Sequence, residues 1–212
     1  WVEDGVVVRS HQSSQYLGVG QGALGVAVGA EALRRRGLCI RLVALRRLGL
    51  HPLEPLASPA LHCGLIADGF HVDPVTIKIA LAAKHGPAHI FLVTDAMSTI
   101  GSDETSFDLN GRTVYRRDGR LTLADGTLAG ADIDMLSCVR YVHEKLGQPL
   151  EEALRMASLY PAEAIGAKTK GSLAAGQDAD FVVLGPDLNI HSTWISGACV
   201  HGADTAPSRA FA

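Results

Sequence analysis

The sequence lacks the short motifs by which most metal, redox and nucleotide sites are recognised. Its four cysteines form no C-x-x-C pair, and its nine histidines form no H-x-H or H-E-x-x-H motif. No glycine-rich segment has the spacing of a Walker or dinucleotide-binding loop. These absences argue against a zinc finger, a thioredoxin-like redox site and a nucleotide-binding fold. The wide spacing of the cysteines is typical of buried free thiols.

The sequence also has little excess charge and few aromatic residues. The formal net charge is -3, and aromatic residues make up 5% of the chain. We therefore expect no nucleic-acid partner, and a core built mainly of aliphatic side chains. No apolar run reaches membrane-spanning length, and the first residues contain no basic signal-peptide region. These features predict a cytoplasmic protein without a membrane partner.

What is present divides the chain into zones of different character. Residues 1–62 form an atypical region, rich in glycine, alanine and arginine and without clear apolar periodicity, so the sequence leaves open whether they form regular structure. In residues 63–170 short apolar strands alternate with helices, which favours a parallel α/β sheet. Residues 171–202 have the pattern of a small β domain, and residues 203–212 are interpreted as a tail.

Local signals place the individual elements of the last two zones. Strands are predicted at 63–67 and 90–94, helices at 74–84, 132–146 and 149–159 with a further helical turn at 161–165, and a hairpin at 113–123 around an Asp-Gly turn. Three β segments are predicted at 171–173, 180–184 and 190–195.

Polar residues follow both predicted strands of the α/β zone. Asp68 and His71 come after the first strand, and Asp95 comes directly after the second. In a parallel α/β sheet, functional side chains lie at the carboxyl ends of the strands. A carboxylate there suits a general base that acts on water. The spacing alone leaves open that these residues only cap loops.

A third candidate is the segment Gly126-Thr-Leu-Ala-Gly130, predicted to be a loop before a helix. Its glycines permit a ligand to approach the backbone closely. The alternative is an ordinary tight turn that leads into the helix.

Several segments in register resemble one known family. They are Gly64-Leu-Ile-Ala-Asp-Gly-Phe-His71, Leu92-Val-Thr-Asp-Ala-Met97, Gly126-Thr-Leu-Ala-Gly130, Glu152-Ala-Leu-Arg-Met-Ala-Ser-Leu-Tyr-Pro-Ala162 and Gly171-Ser-Leu-Ala-Ala-Gly-Gln-Asp-Ala-Asp-Phe-Val-Val-Leu184. Together they resemble the N-acetylglucosamine-6-phosphate deacetylases of the amidohydrolase superfamily, over about two-thirds of the chain.

This resemblance implies a fold and an activity. The fold class is α/β: the C-terminal half of a (β/α)8 TIM-like barrel, with a small β-sandwich element at the C-terminus. The implied reaction is hydrolysis of the N-acetyl group of N-acetylglucosamine 6-phosphate to glucosamine 6-phosphate and acetate. A divalent metal (zinc or a similar ion), an amino-sugar phosphate substrate and a homodimeric state are implied as well.

The resemblance also assigns roles to residues of this chain. Asp95 corresponds to the catalytic aspartate, which takes a proton from water and passes it to the departing amine. The substrate-binding positions are Asp68, Gly69, Phe70, His71, Leu128, Ala129 and Gly130. His11 is the candidate metal ligand, since Ser10-His11 resembles part of a family motif.

Other features depart from the family. A complete barrel takes about 250 residues, so we expect only part of one in these 212 residues. Family character is weak before residue 57, which a truncated or frame-shifted reading frame would explain. The first alternative is therefore a non-catalytic remnant that lacks the metal site. The second is a member of the same superfamily that acts on another cyclic amide or a deaminase substrate.

Overall fold

The computed structural model describes residues 54–202, together with strand β1 (Val6–Val8) and strand β2 (Leu38–Cys39). The part that positions the candidate site is a three-stranded parallel sheet. Strands β3 (His62–Leu65) and β4 (Ile90–Leu92) lie side by side, and β2 pairs with β3 on the other side. The parallel α/β arrangement predicted from the alternation of elements is confirmed.

Helices follow the strands at the places that local signals predict. After α1 (Glu54–Ala57), helix α2 (Pro74–Ala83) connects β3 to β4. Asp73 caps α2 by accepting a hydrogen bond from the Val75 amide at 2.8 Å, and proline occupies the first turn, where its missing N–H costs nothing.

The predicted 132–146 helix is confirmed in outline but has two parts. Helix α3 (Met135–Arg140) begins after the capping residue Asp134, and a π-helical turn (Tyr141–Lys145) continues it. Two further helices complete this layer: α4 (Leu150–Ala157) and α5 (Leu159–Ile165).

These helices bury one face against strands β3 and β4. The core is mainly aliphatic, as the low aromatic content predicts; its most buried members include Cys63, Leu65, Ile77, Leu92, Cys138, Val142, Ala153 and Met156. Cys63 and Cys138 are buried free thiols as predicted, whereas the prediction is wrong for Cys199, which is exposed. Close packing of these side chains fixes the strand ends that carry the candidate residues.

An antiparallel sheet of four strands interrupts the α/β pattern after β4. It consists of β5 (Ser106–Leu109), β6 (Arg112–Arg117), β7 (Arg120–Thr122) and β8 (Leu128–Ala131) in sequential order. The hairpin predicted around the Asp-Gly turn is confirmed as β6–β7. The prediction of a loop at Gly126–Gly130 is wrong for Leu128, Ala129 and Gly130, because they pair with β7 as a strand.

A second antiparallel sheet lies at the end of the described chain. Strands β9 (Phe181–Leu184), β10 (Ile190–Ile195) and β11 (Ala198–Gly202) are consecutive neighbours, and β1 pairs with β9. The predicted strand at 171–173 is wrong: residues 171–172 form a bend, and the segment joins no ladder among the described strands. Strand β11 was not predicted.

Three expectations concern residues outside the described ranges: the candidate metal ligand His11, most of the segment 1–62, and the tail 203–212. None of the described helices is long and apolar enough to cross a membrane.

Candidate active site

Asp68 and His71 form a hydrogen-bonded pair just beyond the carboxyl end of β3. One oxygen of the Asp68 carboxylate accepts the backbone amides of Phe70 and His71, both at 2.9 Å. The other oxygen lies 2.6 Å from Nδ1 of His71. The two side chains are 4% and 9% exposed, respectively, so the pair is well fixed.

The ionisation of Asp68 sets the tautomer of His71. Burial acts to raise the pKa of Asp68, but the hydrogen bonds from the His71 ring and from the two amides outweigh it, and the net pKa lies below the usual value. An ionised carboxylate only accepts hydrogen bonds, so Nδ1 of His71 must carry the proton. Nε2 of His71 is then the ring atom left to contact a ligand.

Gly69 lets this loop turn against helix α3 and its π-helical extension. Its φ is 78°, and a Cβ at this position would lie 2.9 Å from the hydroxyl oxygen of Tyr141. Burial, together with the nearby carboxylates of Asp68 and Asp73, raises the pKa of Tyr141. Phe70, in the same loop, is 44% exposed.

Asp95 occupies the equivalent place after β4, on the neighbouring strand. Because the Val93 amide donates to the Leu65 carbonyl at 2.9 Å, the carboxyl ends of β3 and β4 are joined. Asp95 has a φ of 54°, a left-handed conformation that is uncommon for residues other than glycine, although aspartate and asparagine adopt it more readily than most. Such conformations persist where the surroundings hold them, and they concentrate at functional sites.

Strand β8 holds Asp95 from the other side. The Ala131 amide donates to the Asp95 carbonyl at 2.9 Å, and Ala131 forms an isolated parallel bridge with Ala96. Gly130 has a φ of 135°, and a Cβ there would lie 2.4 Å from Cγ of Met97, so only glycine fits this approach. All three candidate segments named from the sequence are therefore placed at one end of the parallel sheet.

An ion pair that sequence reasoning missed fastens the segment after Asp95. Arg116, on β6, donates from Nε to Asp132 at 2.7 Å and from Nη1 to the Ser102 carbonyl at 2.6 Å. The other oxygen of Asp132 and the hydroxyl of Thr99 are buried and have no hydrogen-bond partner within residues 54–202. The sequence offers one local signal for this ion pair, the acidic residue Asp132 directly after β8. Its partner Arg116 lies sixteen positions earlier, on β6.

The described residues do not by themselves fit a divalent metal ion. Within residues 54–202 no group of three or more histidine, cysteine, aspartate or glutamate side chains is placed to hold one. A catalytic zinc site usually has three protein ligands.

Comparison with known proteins now identifies the family. The model of the amidohydrolase family matches residues 44–200, about three-quarters of the chain. The chain belongs to the amidohydrolase family. Members of this family generally use a divalent metal. The match begins upstream of Cys63, the position where the sequence begins to resemble the family strongly.

Similar proteins point to one branch of the amidohydrolases. An N-acetylgalactosamine-6-phosphate deacetylase of Shewanella sp. is 41% identical over 71% of this chain and 38% of its own length. The human N-acetylglucosamine-6-phosphate deacetylase is 41% identical over 70% of this chain and 37% of its own length. The crystal structure of N-acetylglucosamine-6-phosphate deacetylase from Pasteurella multocida has a TM-score of 0.65 and 38% identity, over 68% of this chain and 38% of that one.

The chain thus spans little more than a third of the length of the curated relatives it matches. The resemblance to the deacetylases is confirmed, and the structural neighbours have the TIM-barrel-like amidohydrolase fold.

Proposed function

We propose that this chain forms part of a deacetylase that hydrolyses N-acetylglucosamine 6-phosphate to glucosamine 6-phosphate and acetate. The observation that supports this most strongly is Asp95, held in a left-handed conformation at the carboxyl end of β4, beside the end of β3 that carries Asp68 and His71. The similarity to deacetylases of 6-phosphorylated amino sugars supplies the substrate class.

Asp95 is the proton carrier of the proposed reaction. Its carboxylate takes a proton from the water whose oxygen attacks the acetyl carbonyl carbon. The same proton then goes to the amide nitrogen as the carbon–nitrogen bond breaks, which releases acetate and a free amine. A carboxylate at a partly enclosed strand end is suited to this exchange, because the same group serves first as base and then as acid.

His71 and the β8 segment position the sugar in this proposal. With Nδ1 committed to Asp68, Nε2 of His71 is available to a polar group of the substrate. Gly69 and Phe70 shape the same loop. Leu128, Ala129 and Gly130 belong to strand β8. The close approach at Gly130 brings the backbone of β8 next to the backbone of Asp95.

The metal and the remaining fold belong to the proposal too. We propose zinc or a similar ion, which would polarise the amide carbonyl and water. His11 is the candidate ligand, and further ligands would have to come from outside residues 54–202. The finer architecture proposed is the C-terminal half of a (β/α)8 barrel with a β-sandwich element, in a cytoplasmic homodimer.

The test is deacetylation of N-acetylglucosamine 6-phosphate with added zinc, by the wild-type chain and by Asp95→Asn. Asparagine tolerates the left-handed backbone of position 95, so this change removes the carboxylate with little strain. We expect kcat to fall by about 100-fold or more, because general acid–base catalysis contributes roughly 10²–10⁴-fold.

Asp103→Asn, at an exposed position, is the matched control and should leave kcat unchanged. N-acetylgalactosamine 6-phosphate is assayed in parallel, because the Shewanella relative is named for that epimer. A folded, metal-supplemented wild-type chain without turnover of either sugar, or full activity in Asp95→Asn, would refute the proposal.

A further inference from the structure

The segment 97–102 follows Asp95 closely and lies outside the described helices and strands. It forms two successive turns, and in the second the Ser102 amide donates to the Thr99 carbonyl at 3.1 Å. A backbone that belongs to neither a ladder nor a helix is placed mainly by its contacts with neighbouring segments. The conformation of Asp95, just before this segment, therefore depends on such contacts.

Contacts with β8 fix the beginning of the segment. The Ala131 amide donates to the Asp95 carbonyl at 2.9 Å. Met97 packs so closely against Gly130 that a Cβ at position 130 would collide with it. Both contacts act on the left-handed backbone of Asp95 and on the residues that directly follow it.

Arg116, on β6, holds the far end of the segment. Its Nη1 donates to the carbonyls of Ser102 at 2.6 Å and of Thr99 at 3.5 Å. Nε of the same guanidinium donates to the carboxylate of Asp132 at 2.7 Å. Since Asp132 directly follows β8, one guanidinium connects the far end of the segment to the strand that holds the Asp95 carbonyl.

The contacts of Arg116 are largely sheltered from water, which separates this arginine from Arg112 on the same strand. The side chains of Arg116 and Asp132 are 30% and 8% exposed, and Thr99 is fully buried. Arg112 makes an exposed pair with Asp125 instead. Hydrogen bonds from a charged donor are stronger than neutral ones, and the exclusion of water strengthens them further.

We propose that Arg116 is a positioning residue for Asp95; this rests on the function proposed above. By holding residues 97–102 against β8, Arg116 keeps the Asp95 carboxylate where the reaction requires it. A left-handed conformation is less favourable for aspartate than an extended or right-handed one, so it persists only while the surroundings hold it. If the segment were released, the backbone of Asp95 would relax and carry the carboxylate away from the bond that is hydrolysed.

The experiment compares Arg116→Gln and Arg116→Lys with the wild-type chain, with N-acetylglucosamine 6-phosphate and added zinc. Turnover is expressed per folded molecule, and the folded fraction is measured by circular dichroism and urea denaturation. Arg112→Gln is the matched control on the same strand. Leu184→Ala is the control for stability, because it leaves a cavity at a buried position of β9, in another sheet.

For both Arg116 variants we expect kcat to fall about 10- to 100-fold, because a small displacement of a reacting group has an effect of that size. KM should change less than about threefold, because the sugar-binding loop 68–71 follows a different strand. A lysine can pair with Asp132, but its ammonium does not reproduce the fork that also reaches the two carbonyls. Arg116→Lys should therefore regain stability without regaining kcat, and both controls should keep the wild-type kcat. A kcat that follows the stability of all four variants would show a merely structural role and refute the proposal.

Amide hydrogen exchange measured by NMR tests the same role without turnover. In both Arg116 variants the Ala131 amide, which donates to the Asp95 carbonyl, should exchange at least about tenfold faster. The Val93 amide, which is bonded within the parallel sheet, should exchange as in the wild type. A change confined to the first amide separates a local release of the segment from a global loss of stability.

The two proposals fail in different ways. If the wild-type chain converts the sugar phosphate and Arg116→Gln keeps its kcat, the role of Arg116 is refuted and the deacetylase proposal stands. If the wild-type chain does not convert it, the deacetylase proposal fails and hydrogen exchange decides on Arg116. Faster exchange at Ala131 but not at Val93 then supports its hold on the Asp95 backbone, and unchanged exchange at Ala131 refutes it.

Discussion

His71 and His62 lie at opposite ends of the parallel sheet, and their hydrogen-bond partners give the two rings different tautomers. At the carboxyl ends, Nδ1 of His71 must carry a proton because it faces the Asp68 carboxylate. At the amino ends, Nδ1 of His62 must lack one because it accepts the backbone amide of His89 at 3.2 Å. The sequence alone could not assign either tautomer, since both partners are set by the fold.

We predict that His62 makes folding stability depend on pH near neutrality. Burial, with the nearby charges of His89 and Lys84, lowers its pKa below the ordinary value of 6.5. Between the two pKa values the unfolded chain binds more protons than the folded one, so stability falls as the pH drops through 6.5. The loss levels off below the folded-state pKa.

The measurement is urea denaturation of the wild type and of His62→Asn between pH 8 and about 5. The asparagine oxygen can accept the His89 amide in place of Nδ1, so the variant should fold but show a shallower pH dependence. His85→Asn, at an exposed position, is the control. Parallel curves for wild type and His62→Asn would show that His62 contributes nothing to the slope.

Among the elements, those with strong local signals were predicted, whereas the assignment of segments without such signals failed where strand pairing decided it. Helix α2 begins at an Asp-Pro signal, and the β6–β7 hairpin turns at Asp118-Gly119. Leu128–Ala131 has no such signal and is a strand only because β7 offers it a ladder. Residues 171–173 resemble a strand in composition, but they are not part of a β-ladder among the described strands.

The elements around Asp95 are connected by the Arg116–Asp132 pair, and we predict that breaking it is costly. The side chains of Arg116 and Asp132 are 30% and 8% exposed. Arg116→Met would remove the ionic partner of the buried Asp132 carboxylate. The second oxygen of Asp132 has no hydrogen-bond partner within residues 54–202, so nothing there would compensate for the loss. We expect the free energy of unfolding to fall by about 2–3 kcal/mol, somewhat less than for a fully buried pair.

Arg112→Met is the matched control for this prediction. Nη2 of Arg112 lies 3.6 Å from Oδ2 of Asp125, and the two side chains are 62% and 61% exposed. Exposed pairs of this kind contribute about 0–1 kcal/mol. Urea denaturation of both variants measures the difference, and equal losses would contradict a special role for the buried pair.

For the whole molecule, the described surface has exposed apolar side chains and an unpaired sheet edge. Strand β11 ends the C-terminal sheet, and all five of its residues are exposed. Large apolar side chains are more than 45% exposed at several positions: Val75, Ile79, Leu173, Ile190, Ile195 and Val200. Open strand edges and apolar patches promote association between copies.

We therefore predict that the isolated chain self-associates. Sizing chromatography with light scattering should show oligomers or aggregates, and Val200→Lys should shift the population toward smaller species because a lysine on an edge strand opposes pairing. Ala124→Lys, at an exposed position in the turn between β7 and β8, adds the same charge elsewhere and is the control. A monodisperse wild-type monomer would refute this prediction. The proposed homodimer and the domain limits at residues 62, 170 and 202 stay predictions.

The sequence by itself determined the α/β class, most helix limits, the β6–β7 hairpin and the identity of the candidate residues, because these depend on capping residues, periodicity and local motifs. Only the tertiary structure decided that β8 is a strand that supports Asp95, that Asp68 orients His71, and that Arg116 pairs with Asp132. Each of these depends on a contact between a strand or loop and a partner distant in the chain. Composition and spacing carry no information about which distant groups folding will bring together.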